Sequence, residues 1–116
     1  MRYACLIYTD EAASPPDDSP EAQQVFAAYD AFEREAREAG VYDVGEALHE
    51  VAKATTVRVR NGERLVTDGP FAETKEQLGG FYILNCKDLD EALAWAAKIP
   101  AATRGSIEVR PIMEFE

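Results

Sequence analysis

TTVRVRNGERLVTDGPFAETKEQLGGFYILNC, Thr55 to Cys86, holds three strand signals in a row. Thr55 to Arg60 alternates Val57 and Val59 against Thr56, Arg58 and Arg60, the period of a half-buried strand with one wet face. Asn61-Gly62 is the dipeptide that a two-residue hairpin turn favours, because both central residues need positive φ. Glu63 to Thr67 is therefore expected to return antiparallel. Phe81 to Cys86 is a continuous apolar run and reads as a buried strand. Between them Asp68 to Gly80 forms a long polar connection with a Gly69-Pro70 turn and anchor residues at Phe71 and Leu78.

On the N-terminal side the pattern changes from period two to period 3.6. Ala22, Val25, Phe26, Tyr29, Phe32 and Ala36 recur at helical steps and make one apolar stripe. Ser19 is placed to cap this helix, Pro20 to occupy its first turn, and Gly40 to end it in the left-handed conformation. Arg2 to Thr9 precedes it as a buried strand, and residues 41–50 follow as an irregular strand with Gly45 as a bend or bulge. On the C-terminal side Asp88 and Glu91 resemble a capping box opening a second helix. Leu89, Ala92, Leu93, Ala96 and Ala97 supply its apolar face, and Pro100 stops it. Ser106 to Met113 is the last strand, with Pro111 marking its end or an edge.

The order is β-α-β-(β-hairpin)-β-α-β in a single domain over residues 1–116. Two helices can cover one face of an antiparallel sheet, which gives an α+β, ferredoxin-like sandwich with an extra hairpin. The other sheet face is left open, and a second copy of the chain is the simplest cover, so a homodimer is expected.

Composition narrows the function. A chain of 116 residues with 47% apolar residues needs no staples to hold a core. Its 22 acidic and 12 basic residues give a net charge of −10. A nucleic-acid binder needs a basic footprint, and an anionic membrane surface attracts basic segments, so neither partner is expected. The two cysteines, Cys5 and Cys86, lie in strand-like apolar runs outside any metal or redox motif and read as small core residues, with a bridge left open. The short apolar run before Asp10 suits neither a signal peptide nor a membrane span, so the cytoplasm is the expected compartment. No phosphate-binding loop, dinucleotide fingerprint, nucleophile elbow or zinc motif is present, and no cofactor or metal is expected.

The segment from Lys53 to Leu84, KATTVRVRNGERLVTDGPFAETKEQLGGFYIL, resembles the hallmark of the DGPF proteins, a branch of the YCII-related family. The first strand with Asp10, AWAAKIP at Ala94 to Pro100, and SIEVRPI at Ser106 to Ile112 also fit, so the resemblance spans nearly the whole chain. It implies a dimeric α/β barrel, two sheets packed face to face. Some relatives are thought to use a His–Asp dyad to remove chloride from an aromatic ring. Asp10 fits the aspartate position. The histidine position carries Tyr29 here, and the chain's single histidine, His49, stands elsewhere.

The candidate catalytic residues are Asp10, Tyr29, His49 and Asp68, with Glu73 and Lys75 as candidate ligand contacts. Each also has a structural reading. Asp10 and Asp68 are turn formers whose carboxylates hold nearby amides. Tyr29 suits a core aromatic with a satisfied hydroxyl. His49 is the one side chain whose ordinary pKa lies near neutrality, and it stands at a strand end. Glu73, Thr74, Lys75 and Glu76 would need partners if buried. Two functions follow from these residues. One is a cofactor-free small-molecule enzyme (lyase, isomerase or dehydrohalogenase-like) using Asp10, His49, Asp68 and Lys75 for acid–base and anion-holding roles. The other is a non-catalytic ligand-binding or regulatory module, because relatives of the resembled branch occur beside sigma-factor-type transcription regulators.

Overall fold

The computed structural model of the chain describes residues 1–115. Strand β1 is Arg2–Thr9, helix α1 is Pro20–Glu38, and β2 is Tyr42–Ala47. The hairpin strands are β3, Thr55–Arg60, and β4, Glu63–Asp68. Strand β5 (Gln77–Asn85), helix α2 (Leu89–Ala96) and β6 (Ser106–Pro111) complete the chain. Four strands form one antiparallel sheet in the order β2-β5-β1-β6, and β3 and β4 pair only with each other. This is the α+β, ferredoxin-like arrangement with an inserted hairpin.

Local signals set the helix starts. Ser19 Oγ accepts from the Ala22 N–H at 3.1 Å, with Pro20 in the first turn. Asp88 Oδ1 accepts from the Glu91 N–H at 2.9 Å, and Glu91 Oε1 reaches back to the Lys87 N–H at 2.9 Å. Each cap satisfies a donor that the helix itself leaves free. Helix α2 stops at Ala96, ahead of Pro100, which opens a short 3-10 turn to Thr103.

Alternation along the strands builds the core. Tyr3, Cys5 and Ile7 of β1 and Tyr82 and Leu84 of β5 pack in one cluster with Phe32 and Ala36 of α1 and Ala92 and Ala96 of α2. Cys5 and Cys86 are both buried as free thiols. The Cys5 thiol is pushed up to about 11, first by burial and then by neighbouring Cys86. The opposite sheet face presents Leu6, Tyr8, Phe81 and Ile83, all only half-buried.

Several elements depart from the sequence pattern. The irregularity in β2 lies between Tyr42 and Val44 rather than at Gly45. Strand β5 begins at Gln77, four residues before Phe81, because Leu78 and Gly80 still pair with β1. Phe26, on the helical stripe, is 64% exposed. Val57 and Val59 alternate as expected, yet they are 60% and 62% exposed, because the hairpin stands clear of the sheet. The protrusion gives a Cα radius of gyration of 16.2 Å, against about 13 Å for a compact chain of this length. Among the described residues no helix is long and apolar enough to cross a membrane.

Candidate active site

Helix α1 packs on the core through Phe32 and Ala36, with Ala22 also buried on the helix. Beside these residues runs a half-buried row at steps of four: Val25, Tyr29 and Glu33. This second row overhangs a cleft of about 380 Å³. Its floor includes Ile7 of β1, Gly45 of β2 and Tyr82 of β5, and Arg104, just past the 3-10 turn, closes one side. The size falls within the usual range for a small-molecule pocket.

Tyr82 is the centre of this site. A tyrosine alternating into a core must find a partner for its hydroxyl. Its hydroxyl donates to Glu33 Oε2 at 2.7 Å. Its ring sits 5.0 Å from Phe32, 6.0 Å from Tyr42 and 6.5 Å from Tyr29, centroid to centroid. Gly45 lies directly opposite Tyr82 in the register, and a Cβ there would stand 2.5 Å from the ring carbons Cδ1 and Cε1. The ring therefore depends on the bare backbone at that position.

Burial pushes the Tyr82 hydroxyl up, reinforced by its hydrogen bond to Glu33 and that carboxylate's charge. Burial also pushes the Tyr29 hydroxyl up, with the Arg104 charge and the Ala101 amide pulling in the opposite direction. Both hydroxyls thus keep their protons at neutral pH and act as donors. Glu33 accepts the Tyr82 hydroxyl, and Asp30 and Glu46 add two more acids to the lining. Arg104 is in none of the ion pairs among the described residues. The cleft thus combines an apolar body, a held carboxylate, two phenolic donors and an unpaired guanidinium.

Of the residues singled out from the sequence, Tyr29 lines this cleft. Asp10 follows Thr9, which lines it, and Asp10 Oδ1 accepts from the Ala12 N–H at 3.0 Å, capping a 3-10 turn over Glu11–Ala13. His49 is exposed in the connection after β2. Asp68 ends β4 and is exposed, as are Glu73 and Lys75 in the following loop. The end of that loop is tied down. Glu76 Oε1 accepts from Ser106 Oγ at 2.8 Å, and Gln77 Oε1 accepts from the Glu11 N–H at 2.9 Å. Among the described residues no group of three or more His, Cys, Asp or Glu side chains is placed to hold a metal.

Sequence reasoning missed Glu33, Gly45, Tyr82 and Arg104. Glu33 had a signal, since it stands one turn after Tyr29 on the same side of α1. Tyr82 had one too, as a polar-tipped ring in an apolar strand. Arg104 sits in a turn with no pattern to mark it.

The sequence profile of the YCII-related domain matches residues 1–116. The chain is similar to an uncharacterised protein of Rhizobium meliloti (strain 1021), 43% identical over 118 aligned residues that cover 100% of this chain and 95% of that protein. Among solved structures it is similar to the 5-chloro-2-hydroxyhydroquinone dehydrochlorinase TftG of Burkholderia phenoliruptrix AC1100, in complex with 2,5-dihydroxybenzoquinone. That likeness has a TM-score of 0.53 and 14% identity, over 99% of this chain and 96% of the other. At that identity the likeness is one of fold.

Proposed function

The chain belongs to the YCII-related family, and from that premise and its cleft we propose that it is a cofactor-free small-molecule enzyme. The reaction class is proton transfer within a lyase, isomerase or dehydrohalogenase-like step. The observation that carries the reading is the convergence of Tyr29, the Tyr82–Glu33 pair and Arg104 on one cleft of about 380 Å³. An acceptor, donors and a cation facing one apolar space are the parts that acid–base chemistry on a small ring needs. The structural neighbour's dehydrochlorinase activity and its quinone ligand support the same class by analogy.

The working unit in this proposal is a homodimer. Leu6, Phe81 and Ile83 on the open sheet face, with Val57, Val59 and Val66 on the hairpin, form apolar surface that a second copy would cover. Asp10 stands at the cleft's edge through Thr9. His49, Asp68, Glu73 and Lys75 take part in the proposal only across the dimer.

The test is a thermal-shift screen with 2,5-dihydroxybenzoquinone, chlorinated hydroquinones, lactones and small aromatic acids, alongside light scattering for mass. A bound ligand in excess of its dissociation constant raises the melting temperature. The expected result is a particle of twice the 12.8 kDa chain mass and a hit lost in Tyr29→Ala and Arg104→Ala. A hit that is bound but never turned over would move the reading to a non-catalytic ligand-binding or regulatory module. No hit at all would sink it.

A further inference from the structure

The Glu33 carboxylate uses one oxygen, Oε2, to accept the Tyr82 hydroxyl, and among the described residues no hydrogen bond occupies Oε1. The half-held carboxylate cannot swing freely, because the Tyr82 ring is clamped by Phe32 and Tyr42 and seated on Gly45. In the lining of the same cleft Arg104 has no carboxylate partner among the described residues, and its charge acts on the Tyr29 hydroxyl. A free acceptor oxygen, with a phenolic donor one helical turn away in the same row and an unpaired cation in the same lining, suits a reaction that moves a proton off carbon while charge gathers on oxygen.

We infer that Glu33 is the proton acceptor of the cleft, that Arg104 and the Tyr29 hydroxyl hold the oxyanion, and that the substrate is an uncharged cyclic carbonyl compound with an acidic neighbouring C–H. The inference rests on the reading of this cleft as an active site. The carbonyl oxygen seats against Arg104 and Tyr29. Glu33 Oε1 takes the proton from the adjacent carbon. The C–H electron pair becomes the new C–C π bond, and the carbonyl π pair moves onto oxygen as an enolate. In a ring that also carries a β,γ double bond this enolate is a dienolate: the oxygen pair re-forms the carbonyl, the new π pair moves to the α,β position, and the β,γ π pair takes the proton back at the γ carbon, with no oxidant, reductant or cofactor consumed. Tyr82 is a positioning residue that fixes the angle of the carboxylate.

Charge sets the selectivity. Asp30, Glu33 and Glu46 line the cleft with the single cation Arg104. A substrate that brings its own carboxylate meets three like charges and one opposite charge, which disfavours it. The cleft therefore selects an uncharged ring over its anionic analogue.

The test uses 3-cyclohexenone, whose conversion to conjugated 2-cyclohexenone is followed by ultraviolet absorbance. Binding is read separately from the amide NMR signals of Gly79 and Gly80, both in the cleft lining. Wild-type protein is expected to convert the probe. Glu33→Gln is expected to slow turnover by about 10²–10⁴-fold while binding persists. Arg104→Ala is expected to slow it by about 10²–10³-fold. Tyr82→Phe should lower kcat with KM near wild type, a split that general loosening of the fold would not give. A ring-carboxylated analogue should bind about tenfold more weakly or worse. A probe that shifts Gly79 and Gly80 but is not converted, or a Glu33→Gln variant as fast as wild type, overturns the inference and leaves the cleft reading standing. A probe that neither binds nor reacts overturns the inference, and the cleft reading falls with it only where the thermal-shift library also gives no hit.

Discussion

Replacing Gly45 with alanine tests how tightly the cleft is built. The added Cβ would lie 2.5 Å from Cδ1 and Cε1 of Tyr82 and 3.2 Å from the Tyr42 hydroxyl. Carbon atoms in contact prefer about 3.5–4.0 Å, so the overlap with the ring is about 1 Å. The ring has little room to move, since Tyr82 is only 4% exposed and the Phe32 ring centroid is 5.0 Å from its own. Overpacking of this kind costs about 1–3 kcal/mol. With an unfolding entropy of ~2.1 cal/mol/K per residue, a chain of 116 residues carries about 0.24 kcal/mol/K, so the melting temperature should fall by about 4–12 °C. Circular dichroism melts of Gly45→Ala, Tyr82→Leu and the double variant are the assay. Tyr82→Leu removes the atoms that clash, so the two changes should be non-additive by about 0.5–3 kcal/mol. A Gly45→Ala protein that melts within about 2 °C of wild type, or a strictly additive double variant, would refute the claim that this glycine seats the ring.

Two further outcomes follow from single observations. The Cys5 thiol is held at about 11, above its ordinary value of 9.0, so between those pH values the unfolded chain loses a proton that the folded chain keeps. The share of stability owed to Cys5 should be constant below about pH 9 and fall by about 2–3 kcal/mol as pH rises to 11, so urea titrations should show a smaller loss over that range in Cys5→Val; an equal slope in both proteins would contradict it. At the hairpin tip Asn61 and Gly62 take φ values of 53° and 77°. A side chain in that left-handed region costs about 1–2 kcal/mol, so Gly62→Ala should speed hydrogen exchange across β3 and β4 while β1 and β5 stay protected; unchanged hairpin protection would count against the turn as its anchor.

What the sequence made legible was whatever is decided within a few residues. The Ser19 and Asp88 caps and the Asn61-Gly62 turn all act over a span of four residues or fewer, and all appear as read. The start of β5 was hidden because Gly79 and Gly80 look like breakers in isolation. Their backbone is nevertheless in the sheet, and a Cβ at Gly80 would come 2.7 Å from the Glu46 carbonyl of β2. Val57 and Val59 illustrate a different limit. Period two identifies which residues share a face, but it says nothing about what lies against that face, and within one chain nothing covers the hairpin.

The site was harder to read because its decisive bond joins residues 49 positions apart, Tyr82 and Glu33. Acids at strand ends and a lone histidine are visible in one dimension, so Asp10, Asp68 and His49 drew notice. The cleft instead belongs to the margin of a helix. On α1 the buried residues Phe32 and Ala36 pack with the strands, and Val25, Tyr29 and Glu33 form the neighbouring half-buried row. An amphipathic stripe assigns Tyr29 to the core and Glu33 to solvent, although they stand one turn apart on one line. That line runs from apolar through phenolic to acidic, Val25 to Tyr29 to Glu33, along the side of the helix that roofs the pocket. A row at the edge of a stripe whose polarity rises step by step is where a helix has cover for a ligand's body and a polar group for its reactive end. The carboxylate at its far end is an acceptor partly removed from water, and Tyr82 fixes its direction.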